Sequence, residues 1–168
     1  MARTYLLLGG NIGDRAMFLN MARHKIADLI GNVASASSVF ETQPWGFVHE
    51  TAFMNQLIVA ETLLEPDQVM QTILKIEQQL GRVRGEKQFI ARKVDIDILL
   101  YDNRIIHEKD LIIPHPFLEK RRFALEPLAE IEPGLVHPVL KKTIARLLKE
   151  CDDKLWVQKI ENQHLPEI

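Results

Sequence analysis

Asp95 and Asp97, two aspartates separated by one residue, are the residues of this sequence best suited to chemistry. In an extended strand successive side chains point to opposite faces, so both carboxylates would project from one face, with Cα atoms roughly 6.5–7 Å apart. Val94, Ile96 and Ile98 would point to the opposite face, as expected if that face packs into a core. Paired carboxylates suit Mg²⁺, which prefers oxygen ligands and completes its octahedron with water and phosphate oxygens.

The aspartate pair also has a purely structural explanation, because charged residues on an edge strand discourage sheets from pairing edge to edge. The preceding segment favours the chemical explanation. Residues 82–93 contain five basic residues and one acidic residue, whereas the chain of 168 residues has a formal net charge of −2. Cations beside acidic metal ligands suit a polyphosphate, since metal ions and arginines together neutralise its charge. The pattern predicts phosphoryl transfer, with one metal ion or a pair of ions at the aspartates.

The composition limits the class of protein. Hydrophobic residues make up 46% of the chain and charged residues 26%, which is typical of one globular domain with a single core. Cys151 is the only cysteine, so no internal disulfide can form and a reducing compartment is expected. The first apolar run is too short for a signal peptide and no stretch approaches the ~20 apolar residues of a membrane span. We therefore expect a cytoplasmic protein without a membrane partner, and the negative net charge disfavours a nucleic-acid partner.

The elements that must position the aspartates follow from hydrophobic periodicity and turn residues. The predicted elements are, in chain order, a strand over 4–8, a helix over 14–30, strands over 33–40 and 53–62, a helix over 66–80, and a hairpin of strands 94–101 and 104–106. Gly9-Gly10 is interpreted as a turn, because neither a P-loop nor a dinucleotide-binding pattern accompanies it. Asp102-Asn103 is predicted to form the hairpin turn.

Between residues 111 and 142, five prolines predict short helices and turns, which are followed by a helix over 142–151 and a closing strand over 155–160. The order β-α-β-β-α-β predicts a ferredoxin-like α+β sandwich, with helices on one sheet face, an added hairpin strand and C-terminal helices. Residues 1–168 are expected to form one domain without a linker. This topology hosts many functions, so the site must carry the functional argument.

A planar heterocycle is a plausible second ligand near the metal. Phe53 and Phe123 offer flat faces for stacking, and Thr42 and Asn55 flank the loop that contains Trp45. An Asn amide presents a donor and an acceptor together, which matches the edge of a pterin or purine. Taken singly, the phenylalanines are more often core residues and Asn55 an ordinary turn residue, so only the combination predicts a binding site.

Several short motifs, in the same order along most of the chain, resemble one enzyme family. They are Leu-Gly-Gly-Asn near the start, Glu41-Thr42-Gln43-Pro44-Trp45-Gly46, Phe53-Met54-Asn55, Glu77 with Gly81-Arg82-Val83-Arg84, Arg92 with Asp95-Ile96-Asp97-Ile98-Leu99, Pro114-His115-Pro116, and Arg121-Arg122-Phe123. The chain resembles the 6-hydroxymethyl-7,8-dihydropterin pyrophosphokinase family of folate biosynthesis. The resemblance implies transfer of diphosphate from ATP to the pterin hydroxymethyl group, with AMP leaving.

The resemblance also implies a role for each matching residue. Asp95 and Asp97 would bind two Mg²⁺ ions that bridge the phosphates of the co-substrate ATP. The pterin contacts would be Thr42, Trp45, Phe53, Asn55 and Phe123; the catalytic arginines would be Arg82 and Arg92; and the ATP contacts would be Arg84, Lys87, Ile98, His115 and Arg121. We expect a monomer whose partners are the two small-molecule substrates.

Some residues depart from the family pattern. The segment before the aspartates reads Gln88-Phe89-Ile90-Ala91-Arg92, where the family usually has a basic residue at the first position and glycine at the third. Leu74, Asp110 and Pro116 also differ from residues that some members carry, so nucleotide contacts there are not transferred. Two other functions fit the residues: a metal-dependent phosphohydrolase, and a non-catalytic ligand- or RNA-binding module of ferredoxin-like fold.

Overall fold

The structure, a computed structural model, describes residues 1–81 and 94–160, and six strands of this part form one antiparallel sheet. The elements are β1 (Ala2–Gly10), α1 (Arg15–Leu29), β2 (Asn32–Ala36), β3 (Phe40–Thr42), β4 (Phe53–Thr62), α2 (Pro66–Gln79), β5 (Asp95–Tyr101), β6 (Ile106–Glu108), β7 (Leu111–Ile113), a 3₁₀ helix (Leu118–Lys120), α3 (Arg122–Ile131), α4 (Ile144–Glu150) and β8 (Val157–Lys159).

The strand order of the sheet is β5-β1-β4-β3-β8, and β2 also pairs with β4. Strands β1 and β4 therefore lie at the centre, and each has a partner on both sides. The two crossovers through α1 and α2 give the predicted ferredoxin-like α+β arrangement. The predicted closing strand is confirmed as β8, which pairs with β3.

The sequence explains where the first two helices begin and end. The Asp14 carboxylate accepts a hydrogen bond of 3.0 Å from the backbone N–H of Met17, which caps α1. Helix α2 begins with Pro66 after a capping box, in which the Gln68 side chain accepts from the Glu65 backbone N–H at 2.8 Å. Gly81 follows α2 with φ of +99°, a conformation that favours glycine and ends the helix.

Helices cover both faces of the sheet: the two helices of the ferredoxin-like unit lie on one face, as predicted, and the added C-terminal helices cover the other. Helices α1 and α2 pack on the face that carries Leu6, Leu8 and Ile98. Helices α3 and α4 pack on the other face, against a second cluster that includes Leu7 and Leu57. The second layer forms because the odd-numbered residues of β1 and β4 are also apolar over much of their length.

The predicted strand over 33–40 is divided into β2 and β3 by Ser37. The Ser37 hydroxyl accepts from the Leu57 backbone N–H at 2.9 Å, and the Ser37 carbonyl accepts from the Gln56 side chain. The Ser37 side chain thus takes the place of a backbone hydrogen bond between the strands. Regular pairing with β4 stops at this point and resumes at Phe40.

The turn predicted at Gly9-Gly10 is also wrong, because both glycines belong to β1 and pair with Asn55 and Met54 of β4. Their strand conformation depends on pairing with a segment far away in the sequence, which local turn preference does not reveal.

The predicted hairpin of 94–101 with 104–106 does not form. Asp102 has φ of +44° and a turn closes, but β6 pairs with β7 instead of β5. One edge of β5 pairs with β1. On the other edge, Glu77 accepts from the Ile96 N–H and His115 donates its N–H to the Leu99 carbonyl, so these groups take the place of a hairpin partner.

The predicted C-terminal helix is present as α4, and the Thr143 side chain caps it by accepting from the Arg146 N–H. In the described part of the chain, no helix has both the length and the apolar character needed to cross a lipid bilayer.

Candidate functional site

One row of residues runs across four neighbouring strands. Gly9 of β1 pairs with Asp95 of β5 on one side and with Asn55 of β4 on the other, and Asn55 pairs with Phe40 of β3. Directly paired residues point to the same face, so these four residues lie side by side on the face where α3 and α4 pack. Because Gly9 has no side chain, no side chain of β1 separates the carboxylate from the amide, and the Asn55 amide extends over Gly9.

Asp97 lies on the same face in the next row, where it pairs with Leu7. Ile96 and Ile98 are buried in the core on the opposite face. The predicted alternation along β5 is therefore confirmed: the two carboxylates share one face and the isoleucines share the other. The Asp97 side chain keeps 31% of its exposure, so its oxygens are accessible to a ligand.

Glu77 of α2 is a third carboxylate at this end of the sheet. Only 1% of its surface is exposed, and its Oε1 atom accepts a hydrogen bond of 2.8 Å from the backbone N–H of Ile96. This bond fixes β5 between the two aspartates. It also satisfies a buried backbone donor that would otherwise carry a desolvation cost.

A cavity of about 230 Å³ opens over the row of residues. Strands β1, β4 and β5 form its floor, and helix α2 and the 43–47 loop form two of its walls. The lining residues are Leu7, Gly9, Thr42, Gln43, Trp45, Phe47, Phe53, Asn55, Met70, Ile73, Leu74, Glu77, Asp95, Ile96, Asp97, His115, Arg121 and Phe123.

The polar end of the cavity opposite the aspartates consists of Asn55 and Thr42. The Asn55 Nδ2 atom donates to the Thr42 hydroxyl oxygen at 2.6 Å, and both side chains are buried. They are diagonal neighbours across β3 and β4, since Thr42 pairs with Phe53 and Phe40 pairs with Asn55. The bond holds the amide in one orientation, so its oxygen is directed to the Gly9 side.

Aromatic rings surround the middle of the cavity. Phe53 contacts Phe47 edge to face, with ring centroids 5.9 Å apart. Trp45 and Phe123 line the cavity as well, and each lies against the guanidinium group of Arg121. Flat apolar walls with a polar edge at one end suit a planar heterocycle.

The loop that carries Trp45 and Phe47 is tied to the start of α1. Arg15 donates to the Ala52 carbonyl at 2.9 Å and forms an ion pair of 3.0 Å with Glu41, and Asn11 donates to the Thr51 carbonyl at 3.2 Å. These bonds hold both ends of the loop, which positions its aromatic residues over the cavity.

Arg121 joins the aromatic and acidic parts of the site. It is only 6% exposed, and its Nη1 atom lies 3.6 Å from Asp97 Oδ2. Its guanidinium carbon lies 4.6 Å from the centroid of the Trp45 ring and 5.6 Å from that of Phe123, distances typical of cation–π contacts. A buried cation beside an acidic pair can neutralise charge on a phosphate group.

His115 accepts a hydrogen bond at its Nδ1 atom, and for this the ring must be neutral and carry its proton on Nε2 alone. Its Nδ1 atom accepts from the Phe117 N–H at 3.2 Å, and its Nε2 atom lies 3.4 Å from the Arg121 guanidinium. Burial, and secondarily the charge of Arg121, lower the pKa of His115 to about 4, although Asp95 acts in the opposite direction. At neutral pH the ring is therefore uncharged, and its Nδ1 atom can accept from the Phe117 backbone.

The structure brings nine of the predicted site residues together in the cavity: Thr42, Trp45, Phe53, Asn55, Asp95, Asp97, His115, Arg121 and Phe123. Ile98 is not among the lining residues, because its side chain packs in the core on the α1 and α2 face. Four others, Arg82, Arg84, Lys87 and Arg92, lie outside the described residues.

Nine of the lining residues have no role predicted from the sequence, and Gly9, Phe47 and Glu77 are among them. Glu77 was recognisable as an acidic residue on the apolar stripe of α2, since it follows Ile73 by four positions. A glycine inside a strand is a known indication of close approach, but Gly9 first had to be assigned to the strand. No local pattern distinguishes Phe47 from an ordinary loop residue.

The donor set fits Mg²⁺ bound together with phosphate. Within residues 1–81 and 94–160, no group of three or more His, Cys, Asp or Glu side chains is arranged to hold a metal ion. Mg²⁺ is commonly bound by one or two carboxylates plus substrate phosphates, and Asp95 and Asp97 offer that set.

The chain is similar in sequence to named proteins. The model of the family described as 7,8-dihydro-6-hydroxymethylpterin-pyrophosphokinase (HPPK) matches residues 5–133. A 2-amino-4-hydroxy-6-hydroxymethyldihydropteridine pyrophosphokinase of Aquifex aeolicus (strain VF5) is 40% identical over 150 residues, which cover 89% of this chain and 92% of the relative. The Bacillus subtilis (strain 168) protein of the same name is 39% identical over 158 residues, which cover 92% and 90%.

Solved structures share the fold. The crystal structure of wild-type Plasmodium falciparum HPPK-DHPS superposes with a TM-score of 0.74 and 17% identity, and the match covers 89% of this chain and 44% of that chain. An HPPK-DHPS structure in complex with substrates gives a TM-score of 0.72 at 15% identity and covers 89% and 43%. This chain thus corresponds to less than half of those longer chains.

Proposed function

Since the chain belongs to the 7,8-dihydro-6-hydroxymethylpterin-pyrophosphokinase family, we propose that it transfers diphosphate from ATP to the hydroxymethyl group of 6-hydroxymethyl-7,8-dihydropterin and releases AMP. Members named in this family are pyrophosphokinases, which makes this chain a diphosphotransferase. The proposal includes a place in folate biosynthesis.

One geometrical observation carries the proposal. Asp95 and Asn55 lie in the same row on the same face, separated by Gly9 alone. Two strand spacings put their Cα atoms roughly 9.5 Å apart. A bicyclic ring held by its edge at Asn55 can therefore extend along the row and present its hydroxymethyl group near the carboxylates. An amide end, an aromatic middle and an acidic end in this order suit an acceptor ring and a metal-bound triphosphate.

Asp95 and Asp97 are the residues that would hold two Mg²⁺ ions. The ions, when bound, would neutralise the triphosphate and increase the acidity of the acceptor hydroxyl. Glu77 keeps the two aspartates in place through its bond to Ile96. Arg121, beside Asp97, adds a buried positive charge that stabilises the negative charge of the transferring group.

The acceptor is oriented by the rest of the cavity. Phe53 and Phe123 would hold the two faces of the pterin ring, and Asn55, Thr42 and the loop at Trp45 would bind its edge. The acceptor hydroxyl oxygen then forms a bond to the β-phosphorus and loses its proton to solvent water. The bond between the β-phosphorus and the oxygen that bridges to the α-phosphorus breaks, and AMP leaves with that oxygen. Positioning and electrostatics supply most of the rate acceleration.

The remaining assignments rest on the resemblance of the motifs. Arg82 and Arg92 would be the catalytic arginines, and Arg84, Lys87, His115 and Arg121 would contact ATP. Ile98 would also contact ATP, and its buried side chain leaves only its backbone for that role. We propose one domain over residues 1–168, a monomer in the cytoplasm, and small molecules as its partners. The monomeric state can be tested by sedimentation equilibrium of the purified protein.

The test of the function is an assay for the nucleotide product. The protein is incubated with ATP and Mg²⁺, with and without 6-hydroxymethyl-7,8-dihydropterin, and nucleotides are separated by chromatography. The proposal expects AMP that depends on the acceptor and that disappears when EDTA removes the metal. Loss of ATP without the acceptor would indicate a phosphohydrolase, and ADP would indicate transfer of a single phosphoryl group. If the nucleotides do not change, the protein would be a non-catalytic binding module.

A further inference from the structure

Gly9 occupies the one position of the row between the acidic end and the amide end. We propose that Gly9 determines specificity at the acceptor end, because its missing side chain makes the space in which the Asn55 amide lies. The inference rests on the proposed function, since the acceptor is the pterin named there. Gly9 would thus fix the position of the Asn55 amide, which forms the hydrogen-bonding edge that the acceptor contacts.

Space, not backbone conformation, is what requires glycine at this position. Gly9 has no φ in the left-handed region, and it lies within β1, where glycine is normally unfavourable. A Cβ atom built on Gly9 would overlap Asn55 Oδ1, and it would lie 3.4 Å from Asn55 Cγ and 3.8 Å from Phe53 Cδ1. An alanine at this position would therefore displace the amide.

The Asn55 amide has no room to retreat without losing a bond. Its Nδ2 atom is held by Thr42 at 2.6 Å, and only 3% of the residue is exposed. Its partner on the far side of the row is Phe40, which is also buried. Displacement from above Gly9 would break the bond to Thr42 or rotate the carbonyl oxygen away from the cavity, so the edge presented to a ring donor would change.

Two other glycines provide matched controls, because a methyl group at each meets different surroundings. A Cβ atom on Gly31 would overlap the backbone carbonyl oxygen of Glu61 and lie 3.0 Å from the Thr62 Cα atom, so alanine there strains the packing of two backbones. A Cβ atom on Gly134 would meet nothing within 4 Å. Gly31→Ala should lower stability, and Gly134→Ala should change neither stability nor binding.

The experiment is a double-mutant cycle of Gly9→Ala and Asn55→Ala, with Gly31→Ala and Gly134→Ala as controls. The dissociation constant for 6-hydroxymethyl-7,8-dihydropterin is measured in the presence of a non-hydrolysable ATP analogue, and that for the analogue is measured separately. We expect Gly9→Ala to raise the dissociation constant for the pterin by at least about tenfold, which is equivalent to the loss of one hydrogen bond. The constant for the analogue should stay within about twofold.

The cycle separates a role through Asn55 from a general disturbance. In the Asn55→Ala background the overlapping oxygen is gone, so Gly9→Ala should change the pterin constant by less than about twofold. An equal effect in both backgrounds, or none in the unaltered protein, would overturn the inference. If Gly9→Ala alone does not fold, the double variant should recover the thermal transition, and failure to recover it would also contradict the inference.

Failure of this inference can be told apart from failure of the proposed function. Acceptor-dependent AMP formation by the unaltered protein tests the function alone. An active unaltered protein whose Gly9→Ala variant binds the pterin normally would retain the function and lose the inference.

Discussion

The two faces of the sheet use the same strands for different purposes. On the α1 and α2 face, Leu6, Leu8 and Ile98 form a continuous hydrocarbon core. On the α3 and α4 face, the apolar pattern ends, and a glycine and two polar residues follow at Gly9, Asn55 and Asp95. The site therefore lies where the apolar core of the α3 and α4 face ends and the strands continue beyond it. Substitutions on the two faces should therefore separate catalysis from stability.

The largest expected effect concerns the two aspartates on the α3 and α4 face. Asp97→Ala removes one of two carboxylates from a partly exposed position, so turnover should fall by about a thousandfold or more while the fold is retained. Acceptor-dependent AMP formation measures the loss, and Asp97→Asn controls for the volume of the side chain. Near-normal turnover in either variant would exclude the metal-binding role of Asp97.

On the α1 and α2 face, Ile26→Ala should lower stability and leave the activity of the folded enzyme nearly unchanged. Ile26 of α1 is fully buried in the core that lies against the back of the sheet, so its truncation leaves a cavity. The free energy of unfolding should decrease by about 2–5 kcal/mol, measured by urea denaturation. The ratio kcat/KM of the folded enzyme should stay within about twofold of the unaltered value. A large loss of kcat/KM would mean that the two faces are coupled.

Glu77 reaches from α2 to the strand that carries both aspartates, so it tests the boundary between the faces. Glu77→Leu leaves the buried N–H of Ile96 without its acceptor, at a cost of about 1–3 kcal/mol in stability. The loosened strand should also lower kcat. Glu77→Gln keeps an acceptor oxygen and should preserve most of kcat. Equal kcat loss in both variants would show that the charge of Glu77, and not its bond to Ile96, is what matters.

The smallest expected effect is a dependence of stability on pH in the connection between α3 and α4. His137 is buried, and its Nδ1 atom accepts from the backbone N–H groups of Val139 and Leu140 at 3.2 Å and 3.1 Å. Burial lowers the pKa of His137, and Glu119 partly opposes this shift. The folded protein thus favours the neutral ring, and the unfolded chain binds the proton more readily.

The sign of this dependence follows from the lowered pKa. Stability from His137 should be fully present above the unfolded pKa of about 6.5 and should be lost progressively as the pH falls below it. Urea denaturation between pH 7.5 and about pH 5 should show a steeper fall for the unaltered protein than for His137→Gln. Parallel curves would contradict the assignment to His137. Activity per folded molecule should not follow this difference, because His137 lies outside the cavity.

Local patterns were sufficient to predict several parts of the fold. The alternation of Asp95 and Asp97 with buried isoleucines, the capped start of α1 at Asp14 and the end of α2 at Gly81 all depend on residues a few positions apart. The motifs also identified nine cavity residues, because each motif keeps its residue types together in the sequence.

Features that depend on distant pairing could not be predicted. Gly9 lies between Asn55 and Asp95 only because β1 lies between β4 and β5, and the sequence contains no local indication of that register. The predicted hairpin failed because the outer edge of β5 is used by Glu77 and by the backbone of His115. In both cases the local interpretation was reasonable, and tertiary contacts overrode it.

The most direct test of the account is a crystal structure of the protein with Mg²⁺, a non-hydrolysable ATP analogue and 6-hydroxymethyl-7,8-dihydropterin. The account predicts the pterin over Gly9, between Phe53 and Phe123, with its edge at Asn55 and its hydroxymethyl group directed to metal ions held by Asp95 and Asp97. A pterin bound away from this row, or Asp95 and Asp97 carboxylates that contact no metal, would contradict it.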